Sequence, residues 1–363
     1  MTSTAARELT DPLAQRSLEV LQAGQAPSGA LIASPAFDVY RYAWLRDGAF
    51  CAHALDVAGA NDAARRWHDW VLTSIEAHRQ LIASATEIAH AGQAPPAAMP
   101  PARYTLDGRL ETPDEEDPWP NFQLDGYGMW LWALEQHLAG DTLPPSYEPA
   151  VELVAAYLSA AWPLRCFNCW EELDGGIHAS TLASAYAGLC AAARLLGDER
   201  WSAAAESVRA FLLTHLVRDG RFRRGPDDER LDGSLLWLGV PFGVVPPDHP
   251  ALRATVDAVR RDLTGPDGGV YRYRGDTYYG GGEWLLLTSS LGWHDATVGN
   301  GEGFERAQAW VRAQALPNGD LPEQVTRHAQ EPAMVEPWQR RWGTIATPLL
   351  WSHAMYLIAE AAR

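Results

Sequence analysis

Long loops and short turns alternate along this chain, and that alternation leaves few ways to fold it. Apolar spacing predicts twelve helices, at 8–24, 48–58, 62–89, 127–138, 147–162, 179–196, 199–217, 233–239, 249–263, 283–295, 304–315 and 347–361. Short turns such as Gly59-Ala60-Asn61, Gly197-Asp198 and Pro246-Pro247 join every second pair. The other joins are long loops, among them 26–46, 90–125, 218–232, 264–282 and 316–346. The helix after each long loop is small or apolar nearly all round and should be buried. The helix before each generally keeps a polar face. Six parallel inner helices inside six outer ones make an (α/α)6 toroid, a six-hairpin barrel, with every long loop at one end. Loops on a rigid scaffold carry function, so the site is expected there. An open α-solenoid is the rival, but no repeated signature is present and the loops are uneven.

No proline- or glycine-rich linker divides the 363 residues, so the expectation is one domain, 1–363. The net charge of −17 repels nucleic acid and anionic lipid and favours a neutral small substrate. Cys166-x-x-Cys169 has no second ligand pair; with Cys51 and Cys190 it reads as ordinary buried thiol. No metal and no cofactor are expected. The start, Met1 to Glu8, is polar and lacks a secretory apolar region. No apolar run suggests a bilayer span. The expected location is the cytoplasm, with thiols reduced. The acidic run Asp114-Glu115-Glu116-Asp117 reads as solvated, and oligomeric state is open.

The long loops place aromatics beside charged pairs. The fullest case is Cys169-Trp170-Glu171-Glu172, before a Gly175-Gly176 pair. Aromatic faces suit the C–H faces of a pyranose, and carboxylates and guanidinium groups bind its hydroxyls. Sixteen tryptophans leave spares beyond those a core needs. Hydrolysing an acetal takes one carboxylic acid for the leaving oxygen and one carboxylate on the other face of the sugar. Glu171 is the candidate acid, with Trp170 and Glu172 beside it to raise its proton affinity. Glu323, in Leu321-Pro322-Glu323-Gln324, is the candidate partner. Spacing alone leaves a solvated acidic pair and a surface glutamate as alternatives.

From about residue 40 to 353 these motifs resemble glycoside hydrolase family 15, the glucoamylase family. Tyr40-x-Tyr42-x-Trp44-x-Arg46-Asp47 is similar to the segment whose Arg-Asp pair holds the terminal sugar and whose tyrosine lies near the hydrolytic water. Trp119 and Gln123-x-Asp125-Gly126 resemble the loop whose tryptophan packs near the acid. Trp170-Glu171-Glu172 is the most specific match: the first glutamate is the family's acid and the second contacts the next sugar. Arg272-Tyr273-x-x-Asp276 resembles a substrate-binding segment, and Glu323-Gln324 with Pro348 to Ala354 resembles the base segment and final helix. The resemblance implies inversion, with Glu323 activating water and β-glucose released. The chain shows neither the β-sandwich nor the starch-binding domain of other members, and its loops are compact. Short imported oligosaccharides are therefore expected, isomaltose and isomalto-oligosaccharides first. Maltooligosaccharide or trehalose hydrolysis is the alternative. From another class, a non-catalytic sugar-sensing module of this fold is the alternative; both carboxylates argue against it.

Overall fold

The computed structural model describes residues 11–112, 119–172 and 175–363. The predicted start of the first helix at 8–10 and the acidic run Asp114–Asp117 lie outside them. The chain winds outward and inward in turn. Outer α1 (Pro12–Ala23) leads to inner α2 (Leu45–Val57), then α3 (Asn61–Ala77) and α4 (Arg79–His90). Inner α5 (Asp125–Leu138), outer α6 (Glu148–Ala161), inner α7 (Ala179–Leu196) and outer α8 (Glu199–His215) follow. A 3-10 segment, Gly233–Leu238, takes the fourth inner place before outer α9 (Pro250–Asp262). Inner α10 (Leu285–Thr297), outer α11 (Gly301–Ala313), a short α12 (Val335–Trp342) and inner α13 (Leu350–Ala361) complete it. Around the inner ring α2 packs on α5, α5 on α7, α7 on the 3-10 segment, that segment on α10, α10 on α13, and α13 on α2. The ring is closed, so the fold is the (α/α)6 toroid.

Burial follows the pattern that assigned the rings. In α13 every residue from Leu350 to Ala359 is buried. In α9 only a stripe is: Ala251, Leu252, Thr255, Val256, Ala258 and Val259. Each Leu or Val so placed stabilises by about 1.5–3 kcal/mol relative to exposure. Crowding at the axis selects small residues. A Cβ on Gly188 of α7 would lie 2.6 Å from the Gly128 Cα of α5, so alanine there would force these helices apart. One apolar cluster draws on residues from Leu13 to Ile358, and a small second one gathers Ala33, Trp44 and Ala102 beneath the long loops.

Four details differ from expectation. The predicted helix 62–89 is two, broken at His78, which caps both. The predicted helix 233–239 is 3-10, a tighter coil suited to a short segment. The loop expected at 316–346 contains a further short helix, α12. Finally, α7 is long and apolar enough to cross a membrane, with mean hydropathy 1.2, although no such segment was expected. Its position accounts for the composition: 72% of it is buried inside the protein, as the middle of a helical ring requires.

Short ladders knit the long loops. Ala43–Trp44 pairs with Arg103–Tyr104. Glu283–Trp284 pairs with Val270–Tyr271 on one side and Gln324–Val325 on the other. The second ladder sets Gln324 opposite Trp284 and so fixes the backbone beside Glu323.

Candidate active site

At the long-loop end the ring opens into a cavity of about 340 Å3. Glu171 and Glu323 both line it, with Tyr40, Trp44, Arg46, Asp47, Trp119, Trp170, Glu172 and Arg272. Segments 152 residues apart in sequence therefore meet across one hollow. Gln123, Asp125 and Asp276 do not line it. They lie one layer behind and hold the guanidinium groups that do.

Glu171 sits on a constrained turn. Its φ is 64°, the left-handed region that a side chain enters at a cost. Asn168 holds the turn. Its Oδ1 accepts the amides of Trp170 at 3.2 Å and Glu172 at 3.0 Å, and its carbonyl accepts that of Glu171 at 3.0 Å. Side-chain acceptors of this kind replace the backbone partners a turn gives up. Three donors converge on Oε1 of Glu171: Trp44 Nε1 at 2.6 Å, Gln123 Nε2 at 2.9 Å and Arg46 Nη2 at 3.3 Å. None of them reaches Oε2. The Glu172 carboxylate turns away, to Arg272 Nη2 at 2.6 Å and the Tyr273 hydroxyl. Trp170 donates its indole N–H to Asp232 at 3.0 Å. The immediate surroundings of Glu171 are thus donors from other loops, rather than its sequence neighbours.

Arg46, from the first turn of α2, is buried. Its Nη1 donates to Gln123 Oε1 at 2.6 Å and Asp125 Oδ2 at 3.0 Å. Asp47 beside it is pushed up to about 7 by burial, with Arg46 pulling the other way. On the opposite wall Arg272 is gripped by Asp276, Nε to Oδ2 at 2.7 Å and Nη2 to Oδ1 at 2.6 Å. Two-point grips of this kind fix a guanidinium plane.

Glu323 is 2% exposed. The Tyr40 hydroxyl donates to its Oε1 at 3.1 Å and lies 2.8 Å from the Tyr278 hydroxyl. Among the described residues its Oε2 takes no protein donor. Burial pushes this carboxyl up to about 8, against the opposing pull of Arg272 and the tyrosines.

Asn168, Tyr278, Trp284, Trp338, Arg341 and Trp342 were not singled out from the sequence, and Trp351 only as part of the Pro348–Ala354 segment. All but Asn168 line the cavity. Trp338 and Trp342 come from α12, and Trp342 stacks on Trp119 at 6.0 Å. The available signal was the cluster Trp338-Gln-Arg-Arg-Trp342, which lies in a loop already known to hold Glu323. The Cys166 and Cys169 thiols are buried, and burial raises each to about 12. Thiolate, the form that binds metal or attacks disulfides, is then scarce near neutrality.

A toroid of this kind with a carboxylate-lined, aromatic-walled hollow is the plan of a polysaccharide- or oligosaccharide-cleaving enzyme. The model of the family Glycosyl hydrolases family 15 matches residues 11–303, and the chain belongs to that family of glycoside hydrolases. It is 41% identical over 358 residues to an isomaltose glucohydrolase of Kribbella flavida, covering 95% of this chain and 91% of that one. Trehalase 2 of Sulfolobus acidocaldarius is 26% identical over 280 residues, covering 69% of this chain and 47% of that one. Among solved structures, a glutamate-to-alanine variant of a glycosidase in complex with glucose superposes with a TM-score of 0.90. Its sequence is 39% identical, with 96% of this chain and 95% of that chain covered. A bacterial glucoamylase complexed with acarbose shares the fold, with a TM-score of 0.73 at 21% identity over 97% of this chain and 55% of that one. The matched family span ends before Glu323, so the superposition over nearly the whole chain carries the comparison there.

Proposed function

We propose that the chain is an inverting exo-α-glucosidase that releases β-glucose from the non-reducing end of isomaltose and short isomalto-oligosaccharides. The observation that carries this is the convergence of Glu171 and Glu323 on one small cavity. The likeness to an isomaltose glucohydrolase over nearly the full length supports the substrate. Glu171 acts as the general acid. Its donors occupy Oε1, so Oε2 is the atom that carries the proton to the glycosidic oxygen. Glu323 acts as the general base, and Oε2, which takes no protein donor, orients and deprotonates the attacking water. Inverting pairs need a gap of roughly 6.5–9.5 Å to admit that water. No covalent glucosyl intermediate forms. Water adds to the anomeric carbon as the protonated alcohol leaves, and the proton from water ends on Glu323.

Arg46 and Asp47 bind the hydroxyls of the terminal glucose, with Gln123 and Asp125 fixing Arg46 from behind. Glu172 and Arg272, the latter fixed by Asp276, bind the sugar beyond the scissile bond. Trp44, Trp119 and Trp170 supply flat apolar walls. The α12 tryptophans narrow the cavity, which supports a short substrate. A cytoplasmic location and the absence of nucleic-acid or membrane partners belong to the same proposal. Four free cysteines and a net charge of −17 support them.

Glucose release from a panel of isomaltose, maltose and trehalose tests the substrate. Isomaltose should be cut fastest. Hydrolysis of trehalose or maltose with isomaltose untouched would move the chain to the second reading, which its trehalase relatives support. A non-catalytic sugar sensor would bind sugar and cut none of the three.

A further inference from the structure

We propose that Asp56, His68 and His137 form a binding site for one zinc-type divalent cation, at the end of the ring opposite the cavity. The residues are far apart in sequence and come from three helices: the last turn of α2, the middle of α3 and the last turn of α5. Each offers one ligand atom, and these atoms all lie within 4.8 Å of one another. His137 Nδ1 is 2.9 Å from Asp56 Oδ1, and the two imidazole rings are 4.9 Å apart.

The second observation concerns His68 itself. It is wholly buried, and among the described residues neither ring nitrogen has a hydrogen-bond partner. Buried polar atoms in native proteins are nearly always paired, and an orphan calls for a water or an ion. One water could serve one nitrogen. A cation accounts for more, because it also explains why an imidazole pair and a carboxylate converge on the orphan.

The donor set selects the metal. Two imidazoles and one carboxylate suit zinc, whereas calcium and magnesium prefer all-oxygen shells. Zinc bonds of roughly 2.0–2.1 Å set tetrahedral ligands about 3.4 Å apart, so side-chain adjustments of about 1 Å complete the site. Water supplies the fourth ligand. The Asp56 and His137 side chains are 14% and 15% exposed, which gives the ion an entry path. Along α2, at 1.5 Å per residue, Asp56 lies about 14 Å from the Asp47 level, so the ion takes no part in the chemistry. Its effect is to clamp α2 and α5 of the inner ring to α3, the helix that follows α2.

The test uses untagged, chelator-stripped full-length protein titrated with zinc chloride by calorimetry, with bound metal counted by elemental analysis. One equivalent should bind, and the melting temperature should rise with zinc and less or not at all with magnesium. Asp56→Asn and His137→Gln, at the two partly exposed positions of the site, should each weaken binding by more than about 100-fold, since even outer-shell changes cost 10–100-fold. Cobalt substituted for zinc should give visible bands of a four-coordinate ion that vanish in both variants. Less than about 0.2 equivalents of zinc in the wild-type protein overturns the proposal. So does one equivalent that persists in both variants.

Discussion

The indole N–H of Trp44 and the Oε1 of Glu171 are 2.6 Å apart, although 127 positions separate them in the chain. This contact ties the strand that leads into α2 to the turn that carries the proposed acid. Hydrogen bonds to charged groups are worth about 1.5–3 kcal/mol. Trp44→Phe keeps the aromatic wall and removes the donor. It should lower kcat/KM on isomaltose by roughly ten- to a hundredfold. An unchanged kcat/KM would mean the contact does not hold the reacting geometry.

Asn168 touches no substrate in this account, yet it accepts two amides of the turn that holds Glu171 in the left-handed region. Asn168→Ala should let the turn relax. The expected result is a fall in kcat of at least tenfold with KM little changed, and a stability cost of about 1–2 kcal/mol from the orphaned amides. Asn168→Asp keeps the acceptor and should recover most of kcat. Equal losses in kcat for both variants would exclude a positioning role.

The two carboxylates also make a prediction about pH. Burial holds Glu323 at about 8, far above the ordinary glutamate range. The base must be ionised while Glu171 keeps its proton, so the kcat/KM profile should be a bell with one of its two breaks near 8. The stability effect has the opposite sense. A carboxyl whose folded pKa is raised stabilises fully below its unfolded value, and that contribution is lost as pH rises towards 8. Glu323→Gln should therefore melt several degrees above wild type at pH 9 and level with it at pH 4. A pH–kcat/KM profile with no break near 8, and no stability gain in the variant, would show Glu323 to be an ordinary solvated carboxylate.

The roof over the cavity gives a specificity test. Trp342, from α12, stacks on Trp119 and lies beside Trp338, with ring centroids 4.9 Å apart. Trp342→Ala should open the far side of the hollow. KM for isomaltose should rise several-fold, while relative activity on longer α-gluco-oligosaccharides increases. Unaltered chain-length preference would remove α12 from substrate selection.

These contacts show what could be read in advance. Inner and outer helices were legible because closure of a double ring demands two burial patterns, and Leu350–Ala359 and the α9 stripe display them openly. Glu171 and Glu323 were legible through their loops and the resemblance those loops carry. The environment of Glu171 was not: Trp44, Gln123 and Arg46 reach it from distant segments, and local sequence suggested Trp170 and Glu172 instead. The short α12 was hidden because its run of charge gives no buried stripe, and none of its residues is buried. The break at His78 leaves apolar spacing on both sides intact. Asp56, His68 and His137 have no motif spacing, and only the packing of three helices brings them together.

The central claim is that Glu171 and Glu323 act from opposite sides of one sugar, with water as the nucleophile. Proton NMR of the anomeric region during the first minutes of isomaltose hydrolysis tests it directly, before mutarotation scrambles the product. The account predicts that the newly released glucose appears first as the β anomer, with α-glucose growing in only later. Newly released glucose that appears first as the α anomer would contradict it.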